Sequence, residues 1–143
     1  MGTKTKVKKV VNELGKRKTA VARVTIQEGK GVVRINKKPL DVLEPEVVRA
    51  KVSEPFVIVA QFGELSLDGL DVEVNVRGGG YMGQAEAART AIARGLLAWT
   101  GNEKLKEAYL GYDRSLLVSD MRNKEPKKFD AKGARAKRQK SYR

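Results

Sequence analysis

The residue types that most often carry chemistry are largely missing from this chain of 143 residues. It has no histidine and no cysteine, which removes the commonest general base, the commonest zinc ligand and any disulfide or thiolate site. Carboxylates are plentiful, but no pair stands at a spacing that singles out acid/base work. One pattern matches a ligand motif. Gly78-x-Gly80-x-x-Gly83 lies between an alternating apolar segment and a helical one, and a helix N-terminus favours phosphate. A dinucleotide site also needs a second parallel strand after the helix, ending near an acid that binds ribose. Here a second helical pattern follows and contains Glu103. The glycines Gly78, Gly79, Gly80 and Gly83 are therefore read as backbone devices that permit a sharp turn and a close approach, including approach by a phosphate of RNA.

The remaining chemistry is cationic. Net charge is +13, and it is segregated. Residues 1–23 carry eight Lys/Arg against one Glu, and residues 122–143 carry ten against two acids. The 98 residues between hold twelve basic and fourteen acidic groups, a net of −2. A balanced middle folds without self-repulsion, while the ends call for a polyanion. Lys16, Arg17, Lys18 and Arg23 cluster at one end. Arg122, Lys127, Lys128, Lys132, Arg135, Lys137, Arg138 and Lys140 fill the other, with Phe129 and Tyr142 among them. Basic groups give salt-dependent affinity for phosphate, and aromatic rings stack on unpaired bases. Arg89 and Arg94 read as surface charges of a helix, with contact to RNA left open for either, and Trp99 as core.

The elements that must position these groups follow from periodicity. Thr19 to Ile26 alternates, with Ala20, Ala22, Val24 and Ile26 on one face, as a half-buried strand does. A turn at Glu28 to Gly31 and a returning strand from Val32 to Asn36 come next. Glu44-Pro45-Glu46 opens a short helix through Val52, and the apolar run Phe56 to Ala60 is too short to assign. Leu65 and Leu67 alternate ahead of a hairpin turn at Asp68-Gly69. Leu70, Val72, Val74 and Val76 alternate as a strand. From Met82 to Trp99 the period becomes helical, with Ala85, Ala88, Ile92, Leu96 and Trp99 in one stripe. Asn102 caps a second helix through Leu110. After Met121 there is no Leu, Ile, Val or Met, so this segment cannot build a core. Fully extended, it reaches about 70 Å. The expected organisation is a basic extension over residues 1–14, an α+β body over 15–121 and a basic arm over 122–143.

No apolar run approaches the roughly 18 residues of a membrane span, and the first residues lack the apolar stretch of a signal peptide. The expectation is a soluble protein of a reducing compartment, with no membrane, no metal, no cofactor and no small-molecule substrate.

Gly15-Lys16-Arg17-Lys18-Thr19-Ala20-Val21-Ala22-Arg23-Val24 resembles the opening motif of small-subunit ribosomal protein nine, the universal S-nine family. Gly78-Gly79-Gly80-x-x-Gly83-Gln84, with Ala87, Ala91, Ala93, Arg94, Gly95 and Leu96 at their spacing, resembles that family's signature. Asp120-x-Arg122, Glu125-x-Lys127-Lys128, Ala134-Arg135, Gln139 and Ser141-x-Arg143 follow its C-terminal arm in order. The resemblance implies a two-layer α+β fold like the second domain of small-subunit ribosomal protein five. It implies a cytoplasmic place in the head of the small ribosomal subunit, contacts from both basic ends to ribosomal RNA, and neighbouring ribosomal proteins. It further implies that Ser141, Tyr142 and Arg143 meet the anticodon stem-loop of transfer RNA in the peptidyl site. Tyr142 stands where bacterial members have lysine, Asp130 where they have glycine, and Lys140 where an aromatic is usual, so the tail resembles the archaeal or eukaryotic type. The implied fold also occurs in small-molecule kinases, but the catalytic constellation such an enzyme needs has no counterpart here. A free-standing chromatin-type binder would differ in failing to co-sediment with ribosomal subunits at moderate salt.

Overall fold

The computed structural model describes residues 9–63, 67–137 and 140. Five strands form one sheet: β1 (Val10–Arg17), β2 (Ala20–Glu28), β3 (Val33–Ile35), β4 (Lys38–Pro39) and β5 (Leu70–Arg77). Three helices accompany it: α1 (Glu46–Phe62), α2 (Tyr81–Thr100) and α3 (Glu103–Tyr112). The strand order is β1-β2-β5-β3-β4. β5 runs antiparallel to β2 and parallel to β3, so the chain is a mixed α+β domain. β2 and β3 are not hairpin partners, because β5 inserts between them. Asn36 ties that junction by accepting from the Val76 amide at 2.8 Å and donating to the Val76 carbonyl at 3.3 Å.

The alternation read from sequence decides which face is covered. Ala20, Ala22, Val24 and Ile26 of β2 and Leu70, Val72, Val74 and Val76 of β5 are all buried, against Ala85, Ala88, Ile92 and Leu96 of α2 and Val48, Val52 and Val59 of α1. The opposite face of the sheet carries mostly polar and charged side chains, with Val10, Leu14 and Val21 among them.

Three local expectations give way to tertiary packing. β1 begins at Val10, inside the stretch read as an N-terminal extension, and pairs with β2 along its whole length. Its alternation is masked because Glu13 and Arg17 occupy the helix-facing side. α1 continues through Pro55 to Phe62. Proline removes an intrahelical hydrogen bond, but Val52, Phe56 and Val59 are buried, and the buried Tyr109 hydroxyl donates to the Pro55 carbonyl at 3.1 Å. Leu67–Gly69 forms a short 3-10 turn instead of a strand end with a hairpin, and Leu65 lies outside the described residues. The Asn102 cap is present, its side chain accepting from the Lys104 amide at 2.9 Å.

α2 sits unusually low on β1 and β2. A Cβ placed at Gly15 would lie 2.1 Å from the Ala87 carbonyl oxygen and 2.6 Å from the Ala91 nitrogen. One at Gly95 would lie 2.8 Å from Ile26 Cδ1. The Ala-rich face of α2 is therefore a requirement of spacing as well as a helix preference. Gly15→Ala must push helix backbone from sheet backbone, and overpacking of this kind typically costs about 1–3 kcal/mol. Urea unfolding of the variant should show a lower midpoint with an unchanged slope.

Candidate nucleic-acid interface

The glycine block joins β5 to α2. Gly78 and Gly79 take φ of +75° and +69°, a left-handed conformation that side chains with a Cβ resist. They also lie against the turn between β1 and β2: a Cβ at Gly78 would meet the Thr19 carbonyl at 2.5 Å, and one at Gly79 would meet Ala20 Cβ at 3.0 Å. The Gln84 side chain donates to the Gly78 carbonyl at 3.1 Å and closes the corner. The backbone reading does not extend to the other two glycines. Gly80 caps α2 at φ −95° with open space around it, and a Cβ at Gly83 would make only ordinary contacts. α2 then leads through Gly101 to α3, not to a parallel strand, so the dinucleotide arrangement is absent.

The structure separates the basic residues at the N-terminal end by sheet face. Lys16 and Arg77 lie in one cross-strand row with Val21, and Arg23 lies in the next row between Leu14 and Asn75. These three cations stand exposed on adjacent strands of the open face, and Arg23 and Arg77 line a shallow concavity there together with Asn12 and Thr25. Lys18 projects from the neighbouring turn. Arg77 was missed in sequence because nothing local marks it. Only the register brings it to Lys16 and Arg23.

Arg17 points the other way. Its guanidinium bonds Glu86 of α2 at 2.5 Å and pairs with Asp120 at 2.9 Å, so two carboxylates already occupy it. Asp120 also receives Arg122 through Nε at 3.0 Å and Nη2 at 2.8 Å. Arg122's hydrogen bonds, foremost, with the nearby charges of Arg122 and Arg17, hold the Asp120 carboxyl well below the usual range despite some desolvation. The root of the C-terminal arm is thereby pinned to β1 and α2.

Arg89 and Arg94 extend that pinning, which corrects their reading as surface charges. Arg89 is 3% exposed. It pairs with Glu54 of α1 at 2.7 Å, bonds Ser115 Oγ at 2.9 Å and bonds Asp113. Burial alone would raise the Asp113 pKa, but the Ser115 hydroxyl and amide and Arg89 together lower it to about 2. Arg94 donates to the Leu117 and Leu14 carbonyls, each at 2.8 Å, and to Ser119. A buried arginine needs partners from other elements, and no local pattern announces them. Trp99 is half-buried against the core, with Lys9 Nζ 4.7 Å above its ring.

In the arm, Lys127, Lys128, Lys132, Lys137 and Lys140 are exposed. Arg135 is exposed too, but forms a two-point pair with Glu125 at 2.7 and 2.9 Å. Asp130 takes φ +60°, a left-handed conformation that aspartate is among the few residues other than glycine to tolerate. Arg138, Gln139, Ser141, Tyr142 and Arg143 lie outside the described residues.

The family model described as ribosomal protein S9/S16 matches residues 15–143. The chain belongs to the ribosomal protein S9/S16 family. A similar relative is the small ribosomal subunit protein uS9 of Methanothrix thermoacetophila, 58% identical over 135 residues, which cover 94% of this chain and 99% of the relative. Membership in the S9/S16 family makes this a structural, non-enzymatic ribosomal protein, which fits RNA binding and a place in translation.

The corner separates two substitutions that sequence alone would treat alike. Gly79→Val places a β-branched residue in the left-handed region against Ala20 and should cost at least about 2 kcal/mol. Gly80→Ser supplies a side-chain cap where there is room and should be neutral or stabilising by about 0.3 kcal/mol. Thermal unfolding of both variants checks the contrast.

Proposed function

We propose that this chain is a structural constituent of the small ribosomal subunit, located in its head. In this reading it binds ribosomal RNA through both basic ends and sets its C-terminus against transfer RNA in the peptidyl site. The observation that carries it is the pinned root of the arm: Arg17, Asp120 and α2 fix where a cationic segment without aliphatics leaves the body. Family membership and the name of the relative support the small subunit as its location, with neighbouring ribosomal proteins as further partners and the cytoplasm as the compartment. The division into a body over 15–121, with the strand residues ahead of it, and an arm over 122–143 belongs to this proposal. So does the likeness to the second domain of small-subunit ribosomal protein five. The exposed set Lys16, Lys18, Arg23 and Arg77 supports a phosphate contact from the body. Lys127, Lys128, Lys132, Lys137, Arg138 and Lys140 supply the arm's contacts, with Arg122 and Arg135 available where their carboxylate partners release them.

Each phosphate neutralised adds roughly 0.7–0.9 to the slope of log affinity on log salt. A chain ending at Met121 should keep a cooperative thermal transition close to that of the full chain. It should bind purified small-subunit ribosomal RNA with a slope flatter by several units. An unchanged slope would move the electrostatic footprint to the body.

Removing Ser141, Tyr142 and Arg143 leaves nine of the arm's ten cations, so incorporation into subunits should survive. A charge-assisted hydrogen bond is worth about 1.5–3 kcal/mol gross, reduced to about 1 kcal/mol or less at an exposed chain end. Binding of transfer RNA to the peptidyl site of subunits carrying the truncation should therefore fall several-fold. Affinity equal to wild type would mean that the arm ends in ribosomal RNA.

A further inference from the structure

The arm is not uniform along its length. Lys128 to Ala131 forms a turn in which the Ala131 amide donates to the Lys128 carbonyl at 3.2 Å, with Asp130 in the left-handed region. On either side of that turn, Glu125 and Arg135 meet in their two-point pair. The result is a clasped loop whose tip presents Phe129, 92% exposed. Lys127, Lys128 and Lys132 surround the ring in sequence, and all three are exposed.

A phenyl ring held in water is a standing cost that a binding partner removes. Two kinds of partner could do so, and the surroundings distinguish them. Docking into a protein pocket uses an anchor within a wider apolar patch, yet residues 122–143 contain no Leu, Ile, Val or Met to widen it. Stacking on an unpaired base uses one ring face with cations placed for the flanking phosphates. This loop has that composition.

We propose that residues 125–135 form a clasped RNA-reading loop in which Phe129 stacks on an unpaired base and Lys127, Lys128 and Lys132 pair with neighbouring phosphates. The inference rests on the arm binding ribosomal RNA and adds a class of ligand, a base out of its helix, to a contact otherwise purely electrostatic. It also changes the part played by Arg135, which becomes a positioning residue that closes the loop with Glu125. An exposed ion pair is too weak to lock the loop, but together with the turn it narrows the conformations that binding must select.

The test measures affinity of the full chain for purified small-subunit ribosomal RNA at two salt concentrations. Phe129→Leu keeps an apolar side chain but no stacking face, and should lower affinity about fivefold or more at both concentrations, with the salt slope unchanged. Phe129→Trp should bind like wild type. Changing Lys127 and Lys128 together to Ala should flatten the slope by about 1–2 units. Glu125→Gln opens the clasp, so the penalty of Phe129→Leu should shrink in that background; an equal penalty in both backgrounds would overturn the positioning role. Wild-type affinity for Phe129→Leu beside a flattened slope for the lysine pair would overturn stacking while leaving the arm's RNA binding intact. No change from either would remove the arm-binding reading itself. Normal binding to RNA with impaired incorporation into subunits would place the ring on a neighbouring protein and overturn the proposal.

Discussion

The close approach of α2 to β1 and β2 is the constraint on which the rest of this molecule depends. Gly15 and Gly95 are the points where a single added carbon would collide with helix backbone or with sheet side chains. The alanines along the same face keep the two layers near each other over several turns. Lowering the helix brings Glu86 within reach of Arg17, and Arg94 within reach of the Leu14 carbonyl. It also determines the shape of the glycine corner, because a helix that begins this near the β1–β2 turn leaves Gly78 and Gly79 pressed against Thr19 and Ala20.

From that helix the charge network organises everything after α3. Arg89, Thr90 and Arg94 project from α2 to the segment 113–119, and Thr90 Oγ1 donates to the Ser115 carbonyl at 3.1 Å. Leu116, fully buried, adds an apolar anchor there, and Leu117 packs partly buried against the same core. The segment is a strap held chiefly by charge-assisted bonds, which are individually stronger than neutral ones. Arg89 shows the risk in that design. With Glu54 or Asp113 removed, a buried guanidinium would keep its desolvation cost while losing a partner.

The alternating patterns of β2 and β5, the helical stripe of α2 and the Asn102 cap were legible in sequence because each is a local signal with a fixed period or position. The membership of the sheet was less so. β1 was hidden by charged residues on its inner side, and the place of β5 between β2 and β3 depends on pairing between distant segments. α1 was cut short in sequence at Val52 because a proline at 55 outweighs its neighbours until Tyr109 and the core are in view. Among the site residues, the clusters of Lys and Arg were visible, but their division was not. Arg17 and Arg23 look alike in sequence, and strand parity sends one to a pair of carboxylates and the other to the open face. Arg77 and Arg89 show the same limit from opposite sides: one gains basic neighbours and the other acidic ones, from elements far along the chain.

The pin at Asp120 also affects how quickly the molecule can leave a partner once seated. If body and arm both bind RNA, as proposed, they form a two-headed ligand joined at a short, fixed root. After either head lands, the other searches a small volume at an effective concentration on the order of millimolar. Release then requires both to let go within the same short interval, so residence time grows faster than either affinity alone. A loosened root, through loss of Arg17 or Asp120, would leave each head's own contacts in place and still shorten the time the protein stays bound.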